Sequence, residues 1–192
     1  MVGTPGATKF HNFSESLAQS HAAEDLPLWE EIYKKAFPGM VAMCNHREDG
    51  PHQRAGIDRS IIMPNSKQIL VDEKVRGRNK KTGKVYTDIA LEYWSDIGRR
   101  KLGWVCKPLL ADYIAYAIAP IGKCYLLPVV QLQQAWVKYG EQWKSEHYCI
   151  KAENMNNGIR WTTVSVGVPV SDLFRAMGEC FRVSFTPVDI ED

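Results

Sequence analysis

Residues 56–78 read GIDRSIIMPNSKQILVDEKVRGR. Two runs within this stretch, 56–63 and 68–75, alternate in polarity and are rich in Ile, Leu and Val, so each is expected to be a β-strand. Pro64, Asn65 and Ser66 between them have turn composition. Side chains alternate faces along a strand, so Asp72 and Lys74 point one way and Glu73 the other. A hairpin brings Asp58, early in the first run, near that pair. Two carboxylates and an ammonium at the rim of an apolar sheet are costly to assemble without a use. Close carboxylates repel unless a cation lies between them, and hard Mg²⁺ takes oxygen ligands of this kind.

Asp58, thirteen intervening residues and then Asp72-Glu73-Lys74 resemble the PD-(D/E)XK nuclease superfamily, whose pattern is an Asp on one core strand and an acid-x-Lys on the next. Asp58 matches the first acid, Asp72 the second and Lys74 the lysine, with Glu73 in the variable position. Gly56 and the apolar Ile69-Leu70-Val71 also fit, whereas Ile57 stands where family members often carry proline. Roughly residues 29–127 are covered, and the three charged residues carry the match. The resemblance implies an α/β (α+β) restriction-endonuclease-like core in one domain spanning residues 1–192: helix, three-stranded meander, helix, strand, with C-terminal additions. It implies Mg²⁺- or Mn²⁺-dependent hydrolysis of phosphodiester bonds in DNA. Asp58 and Asp72 would hold the ion, with a main-chain oxygen of Glu73. Lys74 would orient or deprotonate the attacking water, or stabilise charge on the phosphate. In some members the helix before the sheet lends a Glu. Glu31 is the candidate here, although a solvated helix face accounts for it as well. Glu92 is the second candidate for an additional acid. Small nucleases of this fold are common in phages, which implies action in a host cytoplasm, and many cut as homodimers.

Composition narrows the alternatives. The chain has 192 residues, 45% of them hydrophobic and 24% charged, enough for one domain with a sizeable core. A net charge of +2 does not by itself announce nucleic acid, so any such surface must arise from local clustering. Five scattered cysteines without a Cys-x-x-Cys pair argue against a disulfide framework or a zinc ribbon and suit a reducing cytoplasm. Cys44-Asn45-His46 with His52 hints at a metal site, but a buried Cys and loop histidines are the plainer account. Neither a basic-then-apolar leader nor a membrane-length apolar run is present. No GxxxxGK[ST] loop and no Ser/His/Asp arrangement is legible, so neither a nucleotide cofactor nor a triad is expected.

Along the chain, residues 13–23 are expected to form a short helix capped by Ser14. Residues 25–37 form a stronger one, with Asp25 as cap, Pro27 in the first turn, an apolar stripe at Trp29, Ile32, Tyr33, Ala36 and Phe37, and a stop at Pro38-Gly39. Residues 40–45 suit a first core strand and 46–54 a charged loop. Arg76, Arg78, Lys80, Lys81 and Lys84 then place five cations in nine residues broken by glycines. Beside the acid-x-Lys strand, such a loop can neutralise phosphates, and a solubilising surface loop is the alternative. Arg99, Arg100 and Lys101 make a second cluster, flanked by Trp94 and Trp104, which offer stacking faces or core. Residues 88–94 fit a helix or a strand; as a strand, Asp88 and Glu92 share a face. Residues 112–119 and 123–129 suit a hairpin turning at 120–122, and 130–143 an amphipathic helix with Leu132, Trp136, Tyr139 and Trp143 inward. Residues 161–166 suit a strand, 169–177 a helix capped by Ser171 and closed by Gly178, and 180–185 a last strand. Two rival functions remain: a non-catalytic nucleic-acid-binding or assembly module on the same fold, and a structural ion pair of Lys74 with its acids.

Overall fold

The computed structural model describes residues 11–12, 27–46, 49–79, 82–182 and 184. Helix α1 (Leu28–Ala36) follows the expected stripe. Trp29 and Tyr33 are fully buried, while Glu30–Lys34 and Glu31–Lys35 pair at i,i+4 on the solvent face. Pro27 occupies the N-cap position, with no side-chain cap. Asp25 and the helix expected at 13–23 lie outside the described residues.

A three-stranded antiparallel meander comes next: β2 (Ala42–Asn45), β3 (Arg59–Ile62) and β4 (Gln68–Arg76). The β3–β4 turn is the one expected. Asn65 Oδ1 accepts from the Lys67 N–H at 3.1 Å, and Ser66 takes a left-handed φ of 62°. The segment expected as a charged loop contains a short helix, α2 (Gly50–Arg54). Strand β7 (Tyr113–Ile118) joins β4 in parallel, and β8 (Lys123–Pro128) returns antiparallel to it. The turn between them closes on Gly122 at φ 62°, as the sequence predicts. The first sheet therefore runs β2-β3-β4-β7-β8.

The connection from β4 to β7 departs from expectation. No helix lies between residues 77 and 112 among the described residues. The ambiguous stretch is strand β5 (Asp88–Asp96), followed by the short β6 (Lys101–Leu102). Together with β1 (His11–Asn12), β9 (Cys149–Asn156) and β10 (Ile159–Pro169) these strands make a second sheet, ordered β1-β9-β10-β5-β6. Tertiary pairing resolved the ambiguity: Ile89 and Leu91 are fully buried, and β5 lies along β10 over most of its length. Helices α3 (Val129–Glu146) and α4 (Val170–Cys180) are the remaining helices among the described residues. Helix α4 runs through Gly178 and starts after Pro169 without a cap from Ser171. The strand expected at 180–185 is not formed at its start, because Cys180 ends the helix and 181–182 are irregular.

Strand alternation sorts the first sheet into two faces. Ile61, Val71, Ala115 and Ala117 pack against Trp29 and Tyr33 of α1. Ile114, Tyr116, Ile118 and Leu127 face the other way, onto Ile89, Leu91 and Val166 of the second sheet and Leu132, Trp143 and Leu173 of the helices. Asp72, Lys74 and Arg76 share parity with this second face. They enter a space between two sheets rather than open solvent.

Candidate active site

Main-chain pairing brings the three charged residues of the 56–78 stretch together. The Asp58 N–H donates to Val71 O, holding the start of β3 beside β4. The Asp58 side chain then accepts from the Glu73 N–H through Oδ2 at 2.7 Å. On β4, Lys74 Nζ donates to Asp72 Oδ1 and reaches Glu73 O at 3.3 Å. Asp72 also lies within hydrogen-bonding reach of Asp58. The expected acid, acid and lysine are thus contiguous, and the main-chain oxygen of Glu73 is beside them.

The Glu73 side chain points the opposite way, as alternation requires. On the α1 face it accepts from Tyr33 Oη at 2.8 Å and from Arg59 Nε at 2.6 Å. Burial raises its carboxyl while Arg59 and Tyr33 pull it back, the balance expected of a buried ion pair.

Strand β5 supplies the opposite wall. Glu92 faces Lys74, and Asp88 pairs with Arg76 at 2.9 Å. Between them the Ala90 N–H donates to Tyr116 Oη at 3.1 Å. The cleft holds about 370 Å³ and is lined by Asp58, Lys74, Glu92, Trp104, Tyr116 and Ser165 among others. Gly103 lets the loop after β6 close on β5, because a Cβ there would stand 2.2 Å from Glu92 O.

Charge in the cleft is strongly coupled. Burial and the charge of Asp58 raise the Asp72 carboxyl to about 6, against the pull of Lys74. Burial opposes the Lys74 ammonium, yet Asp72, Asp58 and Glu92 outweigh it and hold Lys74 above its ordinary value. Burial also raises Glu92, with Lys74 lowering it. The donors are all oxygens, from two adjoining carboxylates and the Glu73 carbonyl, which fits a hard divalent ion. Glu92 does not complete a three-ligand cluster with Asp58 and Asp72; its nearer relation is to Lys74.

Other expected site residues fall elsewhere. Glu31 is a correction: it lies on the exposed face of α1, paired with Lys35, beside a groove of about 410 Å³ against β7 and β8. That groove is on the far side of the sheet from Lys74. Arg76 is not a free cation. It points into the space between the sheets, pairs with Asp88, donates to Tyr116 and Tyr148, and lies 3.9 Å from the Tyr86 ring centroid. Arg78 and Lys84 are exposed on a ribbon closed by an Arg78–Val85 bridge; Lys80 and Lys81 lie outside the described residues. Arg99 pairs with Asp96, and Arg100 is exposed in the turn after β5. Trp104 is buried and Trp94 half-buried, so Trp104 is core as well as cleft wall. Cys44, expected to be buried, is exposed, because β2 is an edge strand.

Tyr116 and Ser165 carry no sequence signal as cleft residues, and Trp104, expected as a stacking face or core, lines the cleft as well. Tyr116 and Ser165 read as ordinary strand residues, and only tertiary pairing and packing bring them to Lys74. Among the described residues no helix is long and apolar enough to cross a membrane. The chain matches no family model, no characterised protein and no solved structure.

Proposed function

We propose that the protein is a metal-dependent nuclease that hydrolyses phosphodiester bonds in DNA, with its site at Asp58, Asp72 and Lys74. The observation that carries this reading is the meeting of two carboxylates, a lysine and a main-chain carbonyl at one cleft, on the residues that match the acid and acid-x-Lys pattern. Further support comes from the order of helix, antiparallel meander and parallel fourth strand, although β5 and β6 replace the crossover helix of the restriction-endonuclease-like core.

A bound Mg²⁺ or Mn²⁺ ion supplies a polarised phosphate oxygen and a water of lowered pKa. The chain does the rest. Asp58, Asp72 and the Glu73 carbonyl are the groups that hold the ion. Asp58 is oriented by the Glu73 N–H, so the β3–β4 ladder sets its aim. Lys74, kept protonated by three carboxylates, is suited to stabilise negative charge building on the phosphate rather than to abstract a proton. Glu92 steadies that ammonium from the opposite strand. Trp104 and Tyr116 narrow the cleft and limit water around it. The exposed Arg78 and Lys84 ribbon begins two residues beyond Arg76 and is available to meet the substrate backbone.

The test uses supercoiled, linear and single-stranded DNA with Mg²⁺, Mn²⁺ or EDTA. Cleavage should require the divalent ion and fall at least about a thousandfold in Asp58→Ala, Asp72→Ala and Lys74→Ala, each folded by circular dichroism. Undiminished cleavage by Asp72→Ala sinks the assignment. Metal-independent DNA binding without cleavage points instead to a non-catalytic binding or assembly module.

A further inference from the structure

A second group of ligand-bearing side chains stands outside the acid–lysine cleft. His46 follows β2, Asp49 precedes α2, and His52 lies within α2. Each offers one ligand atom, and the three atoms lie within 4.8 Å of one another. The two imidazole rings stack, with centroids 4.1 Å apart and planes 6° from parallel. His52 Nδ1 and Asp49 Oδ2 are 2.7 Å apart, and His46 Nε2 and Ser60 Oγ 2.6 Å. His52 and Asp49 keep 39% and 41% of their side chains exposed, so an ion can reach them from solvent.

We propose that His46, Asp49 and His52 form a binding site for one divalent transition-metal ion of the Zn²⁺ class, with a fourth position open to water or an external ligand. Two imidazoles and one carboxylate are a borderline donor set that selects Zn²⁺, Co²⁺ or Ni²⁺ over Mg²⁺. The Asp58–Asp72 set, all oxygen, has the opposite preference. Coordination exchanges the His52–Asp49 and His46–Ser60 hydrogen bonds and swings the rings out of their stack, because each nitrogen lone pair lies in its ring plane. Partial exposure of His52 and Asp49 leaves room for that movement. The histidines are also tied by main-chain bonds to the approach to β3: the His46 N–H donates to Asp58 O at 2.9 Å, and the Ile57 N–H to His52 O at 3.0 Å. An ion here therefore staples the segment that delivers Asp58. The site itself stands independently of the nuclease reading.

Chelator-treated full-length protein is titrated with Co²⁺ and followed by its visible d–d absorption. One equivalent should produce the band of a four-coordinate site, Zn²⁺ should displace it, and excess Mg²⁺ should not. His46→Gln, His52→Gln and Asp49→Asn should each weaken binding about tenfold or more, with unchanged circular dichroism. Asp72→Ala should leave the band intact, which separates this site from the cleft. No band, or a band of full intensity and affinity in the His46→Gln/His52→Gln double variant, overturns the proposal. So does a band lost in Asp72→Ala, which assigns the ion to the cleft.

Discussion

Asp72 is 3% exposed, with Lys74 and Asp58 beside it, and its ionisation is unfavourable in the folded protein. Its carboxyl rises from 3.8 to about 6, burial being the largest cause. The sign follows from linkage: a raised carboxyl binds its proton more tightly when folded. Its contribution to stability is present in full below about 4 and is lost as pH rises through about 6. In EDTA at pH 8, Asp72→Asn should therefore be more stable than the parent by on the order of 1–3 kcal/mol. That difference should shrink towards zero as pH falls to 4, as read by denaturant unfolding at each pH. A site that destabilises its own fold is consistent with a functional rather than a structural pair. With Mg²⁺ present the parent alone should gain stability, because the ion compensates the charge that Asn lacks. Equal Mg²⁺ stabilisation of both proteins would place the ion elsewhere.

Helix α1 and strand β4 meet at a second, purely structural use of charge. Glu73 is held by Arg59 from β3 and Tyr33 from α1, fastening the helix to the back of the strand whose front carries Asp72 and Lys74. Arg59→Ala leaves that carboxylate buried without its cation and should destabilise by about 3–5 kcal/mol. Tyr33→Phe removes one hydrogen bond and should cost about 1–2 kcal/mol. Both are measured by chemical denaturation, and cleavage by folded Tyr33→Phe should stay within a few-fold of the parent. Gly103 is the corresponding point on the other wall. An alanine Cβ there meets Glu92 O at 2.2 Å and Tyr93 N at 2.8 Å. Gly103→Ala should cost about 1–3 kcal/mol and reduce cleavage by displacing Glu92 and Trp104.

At the scale of the whole molecule, the cleft exists because two sheets meet at Arg76. Its guanidinium pairs with Asp88 on β5 and donates to Tyr116 on β7 and to Tyr148 beside β9. Tyr148 in turn donates to Asp88, closing the ring of contacts. Gly167 makes room for this cluster, since a Cβ there would stand 2.6 Å from both Asp88 and Tyr148. Arg76 thus joins the sheets and is not available to phosphate. Its substitution should differ in kind from those of its exposed neighbours. Arg78→Ala and Lys84→Ala should each lower the slope of log K against log salt for DNA binding by about 1, at unchanged stability. Arg76→Ala should leave the slope alone while costing about 3 kcal/mol or more. A reduced slope in folded Arg76→Ala would contradict the inward role.

Local sequence determined the parts whose signals are local. The hairpin of β3 and β4 follows from alternation and from Pro64-Asn65-Ser66. The shared face of Asp72 and Lys74 follows from the two-residue repeat of a strand, and α1 from its apolar stripe. The meeting of Asp58 with Asp72 was legible for the same reason, because a short antiparallel hairpin has few registers that keep Ile61 and Val71 inside. What lay between residues 77 and 112 was not legible. A short apolar run such as 88–94 has no preference strong enough to choose strand over helix, and its partner, β10, lies some seventy residues further along. The same long-range pairing put Glu92 opposite Lys74 and turned Arg76 inward to Asp88. Glu31 is on the wrong side of the sheet for a separate reason, because α1 packs on the face opposite Lys74. Residue types and spacing set which groups share a strand face; only the packing of one sheet on the other decided which groups from distant segments share their space, because that depends on contacts with no local signature.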